Sequence, residues 1–413
     1  MPELSGYVYY KDVTEMKNTI ARALKSLVCT LLLVSTAASF ACSSESDTVE
    51  TEPVSSEVTD EVSTETETET ETETETETTV PETTETTAPE TTAETEPPLP
   101  EEPENINPLT GLEADIDLSD RRPVAIMINN IEVATPQEGV SYADIMYECV
   151  VEGWQTRLMM VVSEYESLPV VGSVRSSREY YLDFAANHDA IYIHAGGSTQ
   201  AYAEIKQRNV DNLDGVNMYI PNMFYRDSWR QQNMGYEHSL MTTGEKIVDG
   251  IEYMGYRTEI DEDLDSPLDF VPYGEVYVPE NDGSYIKVKY SGVHQPYFKY
   301  DEDEGVYYRW QFKDKPHMDN TADVQLSFTN IIVLYLPSKN TGDSYNHMDV
   351  TTTGSGEGYY FTMGGYEVIT WEKDDPDEPV KLYNEDGEEL LINRGKTFFQ
   401  ICTTSMKDTT EIE

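Results

Sequence analysis

A regular pattern of short apolar runs, separated by polar turn residues, begins near residue 124. Residues 124–128, 144–151 and 156–162 are such runs, which is typical of buried strands. Residues 170–174 and 190–194 form two more, and each is followed by a helical pattern. Two strand-to-helix turns this close together predict a mixed, partly parallel sheet in an α/β (α+β) fold.

Each of these two predicted helices has a start signal. Ser176 stands three residues before Glu179, the spacing of a capping box, in which each side chain satisfies a free backbone N–H at the other end. Gly196 and Gly197 predict a turn, and Ser198 is placed to cap the next helix. Because ligands of such sheets bind beyond the carboxyl ends of the strands, these turns are where we expect a site.

The second half of the chain has a different texture, with many short strand-like runs separated by turns. Asp386-Gly387 is a two-residue hairpin signal within it. We therefore expect a second, mainly antiparallel β domain. The boundaries that we expect in the folded part are 105–259 for the α/β domain, 260–284 for an acidic linker, 285–403 for the β domain and 404–413 for a frayed tail.

The first 104 residues are typical of an exported and anchored protein. Residues 1–41 contain a basic stretch and then an apolar run too short to span a membrane, which predicts a secretory signal. Cys42 follows directly and is the expected site of lipidation, and an ordinary signal peptide cut after Ala41 is the alternative. Residues 43–104 are rich in Thr and Glu and contain no Lys or Arg, so they predict a disordered tether.

Charge and the metal-binding residue types narrow the choice of partners. The formal net charge of −52 argues against nucleic acid and against an anionic membrane surface. The six histidines are scattered without metal-ligand spacing, so we expect neither a metal nor a cofactor. Cys149 and Cys402 lie in apolar, strand-like runs of different predicted domains. We therefore predict that both are buried and reduced.

Arginine is the main cation between residues 121 and 230, and its guanidinium group suits two-point contacts with carboxylate or phosphate. Arg175 and Arg178 flank a predicted helix N-terminus, whose dipole disfavours cations unless an anion is bound there. Internal ion pairing is the alternative interpretation. The pair and its neighbours predict an anion site, and the other candidate residues are Arg157, Ser176, Gly196, Gly197, Ser198, Arg226, Arg230 and His238.

Asp189 and His194 are the candidates for catalysis, because a carboxylate beside an imidazole can move a proton. They suggest a cell-wall-modifying enzyme as an alternative class, although a histidine beside buried strands is ordinarily a satisfied core residue. A third class is a protein-docking module of an envelope complex. We therefore leave open whether the protein is an enzyme.

Several longer motifs occur along the chain. The first half contains NPLTGL, RRPVAIMINN, VGSVRSSREYYLDFA and DAIYIHAGGSTQAY, and the second contains FTNIIVLYL, GSGEGYYFTMGG and RGKTFFQI. In combination these motifs resemble the YerB-type bacterial lipoproteins. The resemblance covers residues 105–403. It implies a Gram-positive cell-surface lipoprotein and a family of unknown function, and it implies no activity. We expect a protein lipid-anchored on the extracytoplasmic face of the cell membrane that binds an anionic small molecule, a cell-wall polymer or its phosphorylated precursor.

Overall fold

The computed structural model describes residues 100–413. The predicted signal, the lipidation site at Cys42 and most of the predicted tether lie outside the described residues. Residues 100–104, which we assigned to the tether, are described, and the Glu102 carboxylate lies 2.8 Å from the Arg394 guanidinium group. No helix in this part of the chain has both the length and the apolar character needed to cross a membrane.

The first half of the described chain alternates strands and helices. Its strands are β1 (Val124–Asn130), β2 (Ile145–Val150), β3 (Thr156–Val162), β4 (Val171–Gly172), β5 (Ile191–His194), β6 (Asn212–Asp214), β7 (Tyr225–Arg226) and β8 (Leu240–Thr242). Its α-helices are α1 (Glu179–Ala186), α2 (Thr199–Arg208), α3 (Ser228–Asn233) and α4 (Gly244–Met254). Short 3-10 helices lie at Glu132–Ala134, Val140–Tyr142, Glu152–Trp154, Tyr165–Ser167 and Tyr236–His238.

The second half consists mainly of short strands. They are β9 (Asp269–Phe270), β10 (Asn281–Asp282), β11 (Tyr285–Lys287), β12 (Tyr297–Asp301), β13 (Val306–Gln311), β14 (Lys315–Pro316), β15 (Met318–Asp319), β16 (Val324–Gln325), β17 (Ser327–Phe328), β18 (Asn330–Leu336), β19 (Ser338–Asn340), β20 (Met348–Val350), β21 (Gly354–Thr362), β22 (Gly365–Lys373), β23 (Lys381–Tyr383), β24 (Leu391–Ile392), β25 (Thr397–Thr403) and β26 (Glu411–Ile412). One 3-10 helix lies at Thr404–Thr409.

One mixed sheet of 11 strands runs through both halves. Its order is β10-β22-β21-β18-β25-β2-β3-β1-β5-β6, with β23 beside β22. In the first half, β1 is antiparallel to β3 and parallel to β5, which confirms the mixed, partly parallel sheet. The strands of the second half pair mainly antiparallel, as expected. However, β25 is parallel to both β2 and β18 and joins the halves strand to strand. The domain boundaries given above stay a prediction.

The two faces of the central sheet are covered by different layers, and β2 shows why. Successive side chains of a strand point to opposite faces. Tyr147 packs on the helical face, with its ring centroid 5.3 Å from that of Phe184 on α1 and 4.6 Å from that of Phe399. Glu148 points to the other face, where it meets Arg309 on β13 of a six-stranded sheet. The core is therefore a helical layer, the central sheet and a second sheet.

Two segments that we expected to be irregular contain ordered strands. The expected tail ends in β26, which pairs with β11. It is held because Met406 is buried and Ile412 packs against the core. The expected linker contains β9, which pairs with β24, and β10, which pairs with β22. Phe270 of β9 also packs against the core. The acidic composition of this segment was therefore a poor guide to whether it forms paired strands.

Cys149 and Cys402 are both buried and free, as predicted. They lie on neighbouring strands, where Glu148 of β2 is opposite Gln400 of β25. Because side chains alternate along each strand, Cys149 shares the face of Tyr147 and Cys402 shares that of Gln400. The sheet therefore lies between the two thiols.

Candidate functional site

The two strand-to-helix turns lie side by side at the carboxyl ends of β1 and β5. The backbone N–H of Ser177 donates to the Gly196 carbonyl over 2.8 Å, and that of Ser198 donates to the Ser177 carbonyl over 3.2 Å. Gly196 has a φ of 79°, in the left-handed region that favours glycine. This pairing brings the segment 175–177 against the glycine turn, so that both contribute to one surface.

The predicted capping box between Ser176 and Glu179 does not form. Glu179 is the first residue of α1, and its N-cap is Arg178, whose side chain makes no capping bond. A capping box needs the acidic residue at the third helical position, so Glu179 cannot reach back. Its carboxylate instead accepts a hydrogen bond from the Ser198 hydroxyl over 3.0 Å. Ser198 caps α2 as predicted, accepting from the Ala201 backbone N–H.

Arg157 and Arg178 are not ligand-facing residues but members of a buried ion network with Glu152. Their guanidinium groups lie 2.7 Å and 2.6 Å from the two carboxylate oxygens of Glu152. Only 4 % of Arg157 and 6 % of Arg178 is exposed. Burial raises the pKa of Glu152, but the two arginines outweigh it and lower the pKa to about 2. Arg178 therefore has the internal ion pair that was the alternative interpretation, and it does not line a cleft with Arg175.

Arg175 and Arg226 do line one open cleft, which we call the anion cleft. It has a volume of about 400 Å³, and its other lining residues include Ser176, Gly196, Gly197, Tyr202, Asn217, Tyr236 and Glu237. The Arg175 guanidinium lies 2.8 Å from the Glu237 carboxylate. That of Arg226 lies 3.9 Å from the centroid of the Tyr236 ring and donates to the Tyr236 carbonyl. Of the predicted candidates, Arg175, Ser176, Gly196, Gly197 and Arg226 are brought together here.

Asp214 fixes the floor of the anion cleft. Its carboxylate accepts from the backbone N–H of Gly196 over 2.8 Å and from the Tyr202 hydroxyl over 2.7 Å. Among residues 100–413, neither the Gly197 backbone N–H nor the Ser176 hydroxyl donates to another protein group. The floor therefore presents unused hydrogen-bond donors beside two cationic side chains, an arrangement that suits an anion.

The predicted acid–base pair is not assembled. Asp189 precedes β5 and His194 ends it, so an extended strand separates them by roughly 16 Å at about 3.3 Å per residue. Asp189 lies 2.8 Å from the Arg257 guanidinium. The ring of His194 is fully buried between the Gly196 carbonyl and the Asn212 side chain. The pair therefore has structural partners at opposite edges of the sheet.

The last two candidates lie beside the anion cleft without lining it. Arg230 is buried, and its guanidinium lies 2.9 Å from the Glu138 carboxylate. The His238 ring contacts the Asn129 side-chain amide over 2.8 Å, and its other nitrogen is 3.5 Å from Glu237. Burial lowers the pKa of His238. The His238 ring therefore lies between the Asn129 and Glu237 side chains.

Sequence reasoning missed a buried polar network between the two sheets. Glu148 is its centre, with Arg309 at 2.6 Å and His294 at 2.7 Å. Burial favours the neutral carboxyl, but the charges of Arg309 and His294 hold the pKa of Glu148 well below its ordinary value. Thr156 and Gln400 also donate to Glu148. A single Glu within the apolar run of β2 was the only signal in the sequence.

Comparison with known protein families gives a match in each half of the described chain. Residues 109–257 match the family described as "Protein of unknown function (DUF3048) N-terminal domain", and residues 286–399 match its C-terminal domain. Together the matches cover more than half of the chain, which therefore belongs to this family, the YerB-type proteins.

Both the sequence comparison and the structure comparison match YerB of Bacillus subtilis. The chain is 28 % identical over 298 residues to "Putative lipoprotein YerB" of strain 168, a match that covers 71 % of this chain and 85 % of that protein. It is also similar to the crystal structure of the YerB protein, with a TM-score of 0.64 and 25 % identity. That match covers 75 % of this chain and 99 % of the other.

Proposed function

We propose that this chain is a lipoprotein, anchored through Cys42 on the extracytoplasmic face of the membrane, that binds an anionic ligand in the anion cleft. The ligand class is a cell-wall polymer or its phosphorylated precursor. The observation that carries the proposal is that Arg175 and Arg226 line one open cleft in a strongly acidic chain. The name of the Bacillus subtilis relative supports the anchor.

Glu237 indicates how an anion would bind. Its carboxylate pairs with the Arg175 guanidinium over 2.8 Å, is mostly exposed, and lines the same cleft. A phosphate group has more oxygen acceptors than a carboxylate and can accept from Arg175, the Ser176 hydroxyl and the Gly197 N–H together. Binding would therefore displace Glu237 from Arg175. Glu237 acts in this proposal as an internal competitor of the ligand.

Two substitutions of opposite effect test the proposal. Isothermal titration of the purified chain with glycerol 3-phosphate should show about tenfold weaker binding for Arg175→Ala, because a charge-assisted bond is lost. Glu237→Gln should bind more tightly than the wild type, because the competing charge is gone. Lys339→Ala, which removes one exposed charge from another part of the surface, is the control. The proposal fails if the wild type does not bind at millimolar concentrations or if Glu237→Gln weakens binding.

A further inference from the structure

A second cavity lies at the edge of the sheet opposite the anion cleft. Val124 at the start of β1 is opposite Val162 at the end of β3 and Ile191 at the start of β5. Ser163 and His188 therefore come together where these strands begin or end, and both line a cavity of about 500 Å³. We call it the acidic pocket. Its volume is in the range of small-molecule sites.

The floor of the acidic pocket contains two polar atoms without partners. Ser163 is 0 % exposed and His188 is 1 % exposed. Within residues 100–413, the Ser163 hydroxyl and the His188 Nδ1 have no hydrogen-bond partner. Buried polar groups are nearly always satisfied, because leaving one without a partner destabilises the folded protein. Both atoms belong to residues that line one cavity, and we take them as the polar floor of a site.

The hydrogen bonds behind His188 determine what its free nitrogen offers. The Asn187 amide donates to the Tyr147 hydroxyl oxygen, and that hydroxyl lies 2.8 Å from His188 Nε2. If Tyr147 donates its proton to Nε2, the ring proton lies on Nδ1, which has no partner among the described residues. Burial lowers the pKa of His188 to about 3, so the ring is neutral. The floor thus offers one N–H donor and one hydroxyl, which together suit a hydroxyl or carbonyl oxygen.

The rim of the acidic pocket is negatively charged, whereas the anion cleft has two cationic side chains. Its carboxylates are Asp120, Glu259, Asp261 and Glu262. Arg121, the one cationic side chain of the lining, forms an ion pair with Glu166. A cavity lined by one sign of charge concentrates ligands of the other sign. The rim therefore repels anions and attracts cations.

We propose that the acidic pocket binds a small polyhydroxylated molecule that carries a positive charge, of the amino-sugar class. Its hydroxyl groups meet the Ser163 hydroxyl and the His188 N–H on the floor, and its ammonium group faces the carboxylates of the rim. This site is independent of the anion cleft, which lies at the other edge of the sheet. Either proposal can therefore fail without the other.

A charge series on one scaffold tests the ligand class. Titration of the purified chain with glucosamine, glucose and glucuronate should give the tightest binding for glucosamine and the weakest for glucuronate. Glu262→Gln should reduce the preference for glucosamine over glucose, because it removes one rim charge. Equal binding of glucuronate and glucosamine, or no binding of glucosamine at tens of millimolar, overturns the proposal.

Ser163→Ala and Ser173→Ala form a matched pair that tests the place of binding. Both remove a fully buried hydroxyl that has no partner among the described residues, but Ser173 does not line the pocket. Neither should lower the melting temperature. Ser163→Ala should weaken glucosamine binding about fivefold, as expected for one lost hydrogen bond, and Ser173→Ala should not. Equal affinities in the two variants, or a crystal grown with glucosamine that shows water alone on Ser163, refute the site.

Discussion

Glu148 and Arg309 form an ion pair that no solvent reaches, with 2.6 Å between the carboxylate and the guanidinium group. Glu148 lies on β2 and Arg309 on β13, so the pair links the central sheet to the second sheet. Charges buried in this way are tolerated only when hydrogen bonds satisfy their remaining atoms. Around this pair, Gln311 and His317 bond to Arg309 and Gln400 bonds to Glu148, while Arg309 Nε has no partner among the described residues.

We predict that Arg309→Met lowers the free energy of unfolding by about 3–5 kcal/mol, because it leaves Glu148 buried without its counter-charge. Chemical denaturation followed by circular dichroism measures this. Combining it with Glu148→Gln should recover part of the loss. Lys315→Met is the control, since Lys315 pairs with Glu132 at the exposed surface and should cost no more than about 1 kcal/mol. Equal losses for Arg309→Met and Lys315→Met would contradict the prediction.

The ion network of Glu152 with Arg157 and Arg178 should make the free energy of unfolding depend on pH. The pKa of Glu152 is about 2 in the folded protein, below its ordinary value of 4.5. Its contribution is therefore complete above about pH 4.5 and is lost as the pH falls towards 2. Denaturation curves should show that the free energy of unfolding falls less between pH 7 and pH 3 in Glu152→Gln than in the wild type. Glu252→Gln changes an exposed residue and is the control, so its free energy of unfolding should fall as much as that of the wild type. An equal fall in Glu152→Gln would disprove the contribution of Glu152 to this pH dependence.

The buried thiols should be chemically inert in the folded protein. Burial raises the pKa of Cys149 and of Cys402, and the thiolate is the reactive form. Iodoacetamide at pH 8 should therefore leave both cysteines unmodified in the native chain and alkylate both after denaturation. Peptide mapping by mass spectrometry resolves each site. Rapid native labelling of either peptide would show that the thiol is accessible.

The lipid anchor can be tested in cells that express the protein. Metabolic labelling with an alkynyl fatty acid should tag the wild type and should not tag Cys42→Ser. The substituted protein should then appear in the culture medium. Cys402→Ser is the matched control, since it removes a buried thiol and should keep the label. Recovery of wild-type protein in the medium without label would reject lipidation.

The sequence predicted the strands better than the contacts between them. β3 was predicted at its observed bounds, because apolar periodicity is a local property. The pairing of Arg178 with Glu152 was not visible, since the two residues are 26 positions apart and meet only through the fold. The prediction of an acid–base pair from Asp189 and His194 failed for the opposite reason. They are close in sequence, but the strand between them carries them to opposite edges.

The anion cleft was predicted in part. The glycine turn and the segment 175–177 were identified because ligands of parallel strands bind at their carboxyl ends. Glu237 and Asp214 were missed, since a single acidic residue in an acidic chain gives no signal. The acidic pocket was missed entirely, because its defining property is two unpartnered buried atoms. That property exists only after the partners of every neighbouring group are known.

The place of β25 in the sheet has a consequence for how the chain is made. This strand fills the gap between β2 and β18, yet a ribosome produces it after every other strand of the central sheet. Until then, β2 and β18 are both open edges, able to pair with other chains. The nascent protein therefore carries an unpaired edge on β2 until β25 is made, and sequence-distant pairing of this kind also makes folding slow.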